Sequence, residues 1–143
     1  MNTRPLALTL LLVLAPVFAM AAEPTIIVNP ANDVSEISAQ DLAQIFLGKK
    51  TLWPSGKRIV PVLLDTETEA GRHFLMGYVK KTESQYRSYW KRRLYSGGGA
   101  VPKTLASSAA VSAYVATTPG AIGVIEAEAA TGTVKAVVVT SED

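Results

Sequence analysis

Cysteine is absent from this chain, and histidine occurs once. Without cysteine there is no disulfide framework, no thiol nucleophile and no residue on which a lipoprotein anchor could be built. A lone histidine also argues against a zinc site, which draws on several cysteine or histidine ligands. A strong charge of either sign is missing too: 14 basic residues face 12 acidic ones, a formal net charge of +2. That balance gives no bulk field for nucleic-acid binding. No Gly-x-Ser-x-Gly elbow marks an activated serine, and no internal repeat or low-complexity segment is present. No cofactor or metal is expected.

Long apolar runs are scarce, and the clearest lies at the amino terminus. Arg4 and the terminal amine give a positive start, and Leu6 to Phe18 is an apolar stretch of thirteen residues. Ala19-Met20-Ala21 then fits a small-x-small cleavage site, so residues 1–21 read as a secretory signal peptide. The stretch falls short of the roughly 20 residues that span a bilayer, so export and release are expected, without stable membrane insertion. Residues 22–143 would remain as one domain with a single core.

In that domain, Thr25–Val28 is a first strand, followed by a turn-rich Asn29–Asp33. Ser38 can cap a helix whose first turn holds Asp41 and whose apolar face is Leu42, Ile45 and Phe46. Gly48 suits a left-handed helix end, and Trp53-Pro54-Ser55-Gly56 a turn. Ile59–Leu64 is an apolar, β-branched run, the pattern of a strand covered on both faces. It ends at Asp65, where Thr66-Glu67-Thr68-Glu69 has the spacing of a capping box for a helix to about Val79. Ligands bind at such strand-to-helix junctions in open α/β sheets. A second capping box, Thr82–Gln85, opens a helix to about Leu94, with Tyr86, Tyr89 and Trp90 inward and Arg87, Lys91, Arg92 and Arg93 toward water. Ser96–Pro102 reads as a flexible glycine-rich loop. Leu105–Ala116 reads as a helix, Thr117–Gly120 as a turn and Ala121–Ile125 as a buried strand. Thr133–Thr140 is a last strand with Val134, Val137, Val138 and Val139 in the core. The order β-α-β-α-α-α-β-β suits a small α/β or α+β domain.

Two stretches carry a family resemblance. Asp41-Leu42-Ala43-Gln44-Ile45-Phe46-Leu47-Gly48-Lys49, then Trp53, then Ile59-Val60-Pro61-Val62, resembles the start of the second lobe of phosphate-type periplasmic binding proteins of ABC transporters. Val115-Ala116-Thr117-Thr118-Pro119-Gly120-Ala121-Ile122-Gly123-Val124 is similar to their late helix-turn-strand segment. The resemblance implies a type-2 periplasmic-binding-protein-like α/β sandwich, as a single lobe or a condensed version. It also implies a periplasmic location, no enzymatic activity, a small anion such as phosphate as ligand, and an ABC permease as partner. The mature chain is about half the size of a two-lobed member. At the position of the family's Arg-Ser-Asp-Gly-Ser-Gly-Thr anion segment stands Leu64-Asp65-Thr66-Glu67-Thr68-Glu69-Ala70-Gly71-Arg72. Threonine hydroxyls and a helix start remain there, beside three carboxylates.

The candidate ligand-binding residues are Asp65, Thr66, Thr68 and Arg72: hydroxyls and N–H groups at a helix start and a guanidinium suited to bidentate contact. The same stretch also reads as an ordinary self-capped helix. The basic run beside Tyr86–Trp90 is either a docking face for an acidic partner or a solvated helix face. Ser96-Gly97-Gly98-Gly99 could wrap an oxyanion with N–H groups or simply connect two elements; it lacks the ending of a P-loop. His73 reads as a partly exposed helix residue. Asp65 and Glu67 show no sugar cleft that would make them a glycosidase pair. Two functions therefore stand open: an oxyanion-binding module for uptake or sensing, and a single-lobe interaction or regulatory protein without a ligand. A homodimer through Tyr86–Leu94 could rebuild a two-lobed cleft.

Overall fold

The structure is a computed structural model and describes residues 23–141, together with Val13 and Ala15. The expected signal peptide, residues 1–21, otherwise lies outside the described residues. Six strands form one mixed sheet: β1 (Pro24–Val28), β2 (Glu36–Ser38), β3 (Val60–Leu64), β4 (Lys103–Leu105), β5 (Ala121–Glu126) and β6 (Lys135–Thr140). Their order across the sheet is β2-β6-β1-β5-β3-β4. β1 pairs antiparallel with both β5 and β6, while β3 runs parallel to β5 and β4, and β2 parallel to β6. β1 thus opposes the other five strands, whose carboxyl ends share one edge of the molecule.

Among the described residues four α-helices accompany the sheet: α1 (Ala39–Phe46), α2 (Glu69–Phe74), α3 (Glu83–Tyr95) and α4 (Ser108–Thr117). α2 continues as a wider π turn over Leu75–Val79, closed by Lys80 at φ 61°. Both α2 and α4 pack against β1, β3 and β5, and β5 is buried from Ala121 to Ile125. This is the α/β architecture expected, with the core running through Ile26–Val28, Phe46, Val62–Leu64, Phe74 and Ile122–Ile125.

Several local readings hold. Ser38 Oγ accepts from the Asp41 N–H at 3.0 Å, and Thr82 and Gln85 exchange the two bonds of a capping box. Gly48 ends α1 at φ 72°, pressed against the Trp90 ring. Others need correction. Leu105 does not open a helix: Lys103–Leu105 is an edge strand bonded to β3, and α4 starts at Ser108 under a Ser107 cap. Glu36–Ser38, unassigned from sequence, is the opposite edge strand. The order is therefore β-β-α-β-α-α-β-α-β-β. Val138 is 61% exposed, because β6 alternates Val137 inward with Val138 outward.

Candidate functional site

The site begins where β3 stops. The Asp65 N–H donates to the Leu105 carbonyl at the end of β4, 2.9 Å away, which pins the strand end. The Asp65 carboxylate then accepts the Glu67 N–H at 2.9 Å, a side-chain-to-backbone turn of the kind aspartate favours. The Thr68 hydroxyl donates to the Asp65 carbonyl at 2.5 Å and accepts the Gly71 N–H at 3.1 Å. Thr68 is therefore the cap of α2, two residues later than the Thr66 cap expected from spacing. Asp65 takes over the start of the turn and moves the helix register onward.

The four candidates consequently separate. Thr68 is committed to capping and Asp65 to the turn. Thr66 is half-buried, and its hydroxyl has no protein partner among the described residues. Arg72 is exposed on α2, with no carboxylate in ion-pair range among the described residues. Asp65 and Thr66 line a groove of about 530 Å³, whereas Thr68 and Arg72 do not. Charge at this edge disfavours anions. Asp65 and Glu83 both line the groove, and Glu67 and Glu69 follow Asp65 in the turn.

The far wall of the groove is α3, which is tied to the end of α1 by three bonds. Tyr86 OH donates to Phe46 O at 2.8 Å, Tyr89 OH to Leu47 O at 2.6 Å, and Arg93 Nη2 to Gly48 O at 2.8 Å. Three successive carbonyls at a helix end, which have no intrahelical donor, are thus satisfied by one neighbouring helix. Arg93 faces inward for this reason, not toward water as its place in a basic run suggests. Burial pushes the Tyr86 hydroxyl pKa well up; the neighbouring Trp90 indole works against that and Tyr89 adds to it. Tyr86, Trp90 and Leu63 form the groove's apolar base, and Leu94 and Val101, 49% and 46% exposed, its outer end. Of its cations, Arg87 is paired with Glu83 at 2.7 Å and Lys91 has no carboxylate partner among the described residues.

The glycine run offers no anion nest. The N–H groups of Gly97, Gly98 and Gly99 donate to the carbonyls of Leu94, Arg93 and Gly97, so the first two finish α3 and the third closes a tight turn. His73 is half-exposed beside Glu69 at 3.8 Å. A second groove of about 570 Å³ lies near the start of β5, between Asn32, Trp53 and Pro119, and no sequence-predicted site residue lines it. Among the described residues no His, Cys, Asp or Glu cluster could hold a metal, and no helix is long and apolar enough to cross a membrane. Sequence reasoning missed the groove because it depends on β4, although the i, i+3, i+7 spacing of Tyr86, Tyr89 and Arg93 does announce a shared face.

No protein-family model matches the chain, and no curated protein does. Solved structures do. A protein described as a phosphate ABC transporter substrate-binding protein from Clostridium perfringens, with phosphate bound, superposes at a TM-score of 0.65 and 19% identity over 82% of this chain. PstS from Borrelia burgdorferi gives 0.63 and 16% over 85%. An ABC-type phosphate transport receptor from Vibrio cholerae gives 0.58 and 18% over 85%. The chain spans 44%, 49% and 47% of those three proteins, less than half of each. At these identities the likeness shows the fold, a periplasmic-binding-protein-like α/β arrangement.

Proposed function

We propose that this chain is an exported solute-binding module of one lobe that takes a small oxyanion, phosphate foremost, for ABC-type uptake or sensing. It acts by binding, without catalysis. The observation that carries the reading is the Asp65–Thr68 turn at the carboxyl end of β3, which opens onto a groove in a fold shared with proteins described as phosphate-binding. Such strand ends are where α/β sheets receive ligands. Thr66 and Arg72, whose side chains have no protein partner among the described residues, would be the contacts; Thr68 supports them by holding the helix start, and Asp65 fixes the turn. Delivery would fall to an ABC permease.

A second reading has its own support. Asp65 and Thr68 spend their polar atoms within the turn, Arg72 lies off the groove, and Asp65, Glu67, Glu69 and Glu83 oppose an anion. Those features suit a single-lobe interaction or regulatory protein that binds no ligand. Titration with phosphate separates the two, since only the first reading expects binding, and the Arg72→Ala variant then tests the contact. Under the first reading phosphate affinity falls by about 1.5–3 kcal/mol, the usual effect of losing a charged hydrogen-bond partner; unchanged affinity removes Arg72 from the site.

A further inference from the structure

Charge is segregated along this chain. Residues 80–93 hold six cations and one acid, Glu83, while the rest of the sequence is net acidic. Four of those cations gather on the exposed side of α3. Ser84, Ser88 and Arg92 follow one another at the four-residue helical spacing, and Tyr95 closes the row, three residues after Arg92 and four after Lys91. The row is about 16 Å long. Lys80 and Lys81 fold back onto its start: with Ser84, Gln85, Ser88 and Arg92 they line a depression of about 380 Å³, and Lys81 Nζ stands 5.3 Å from the centre of the Tyr89 ring. Among the described residues Lys80, Lys81, Lys91 and Arg92 have no carboxylate in ion-pair range. Asp65 and Glu83 lie on the groove side of Lys91, and neither lines the depression. Tyr95 is 85% exposed, and its hydroxyl has no protein partner among the described residues.

We propose that this side of α3 is a docking face for an anionic phospholipid bilayer. Lys80, Lys81, Lys91 and Arg92 meet the headgroup charge, and the Tyr95 ring settles among the headgroups, where an aromatic body with a polar tip is favoured. Arg87 and Arg93 are not counted, because Glu83 holds the first and the Gly48 carbonyl the second. The net-acidic remainder of the chain is repelled by the same surface, which orients α3 toward the lipid. The depression is lined by polar side chains throughout, so it offers no apolar pocket of the kind that anchors a protein partner. None of these residues is a contact in the oxyanion reading, so the two stand or fall separately.

The test is sedimentation with vesicles of mixed phosphatidylglycerol and phosphatidylcholine, against vesicles of phosphatidylcholine alone. The described strands and α-helices lie between Pro24 and Thr140, so the protein is used without residues 1–21, whose apolar run would itself partition into lipid. Two double variants of equal net charge are compared, Lys91→Gln/Arg92→Gln on the face and Lys57→Gln/Arg58→Gln before β3. All four residues are exposed, so both variants are expected to fold. The expected result is binding to the anionic vesicles only, lost at about 0.5 M salt. The Lys91/Arg92 pair should weaken it about tenfold or more, at about fivefold per cation, and the Lys57/Arg58 pair by less than about twofold. Tyr95→Ala should weaken it severalfold. No binding to the anionic vesicles at low salt overturns the proposal. Equal losses from the two pairs overturn it as well, since net charge alone then explains the attraction. Unchanged binding in Tyr95→Ala, or binding to polyglutamate but not to vesicles, overturns the choice of a bilayer and gives the face to another polyanion.

Discussion

Gly71 lies directly beneath the backbone of Asp65: a β-carbon on Gly71 would overlap the carbonyl oxygens of Leu64 and Asp65. This is how α2 sits flush against the end of β3, and the obstacle is backbone, which cannot rotate aside. Gly71→Ala is expected to cost about 1–3 kcal/mol as overpacking, read as a lower denaturation midpoint with an unchanged slope. A wild-type midpoint would show that the strand-to-helix junction is looser than described.

The link between α1 and α3 gives a second prediction. Tyr86→Phe removes the donor to the buried Phe46 carbonyl and should destabilise by about 1–3 kcal/mol, the cost of stranding a buried acceptor. Tyr89→Phe, at a half-buried position, should cost less. Equal and negligible effects would mean that water replaces both hydroxyls.

Tyr86 also implies a pH dependence. Burial raises its folded-state pKa above the ordinary tyrosine value, which is about 10. In the alkaline range the folded state therefore holds a proton that the unfolded chain releases. Stability from this group is complete below about pH 10 and is lost as pH rises toward the folded pKa. Unfolding curves from pH 9 upward should show the decline, and Tyr86→Phe should flatten it. An equal decline in the variant would assign it to other groups.

Helix starts at Ser38 and Thr82 were legible because capping is settled within three residues. The start of α2 was not. Thr66-Glu67-Thr68-Glu69 offers two overlapping caps, and the choice fell to Asp65, whose carboxylate takes the Glu67 N–H, and to the close fit of Gly71 under β3. Lys103–Leu105 and Glu36–Ser38 are too short for any period to register; their partners β3 and β6 lie far away in sequence. In Val137-Val138-Val139 every residue is apolar, so the run marks a strand without saying which side is wet. The site suffered the same way. Its residue types were readable at Asp65–Arg72, but the groove exists only because β4 and α3 converge there.

Asp65→Asn tests the electrostatics of the turn. Asparagine keeps the acceptor for the Glu67 N–H and removes one negative charge, so the fold should be unchanged. If an anion binds here, affinity should rise by up to about 1 kcal/mol at low ionic strength, with the gain shrinking as salt is added. A loss of affinity would mean that the carboxylate itself contacts the ligand.

The most direct measurement is isothermal titration of residues 22–143 with phosphate at low ionic strength. The account predicts saturable binding with a dissociation constant of about 1 μM or tighter, roughly 8 kcal/mol, and a matching rise in melting temperature. No heat and no thermal shift would contradict it and would leave the interaction-protein reading in its place.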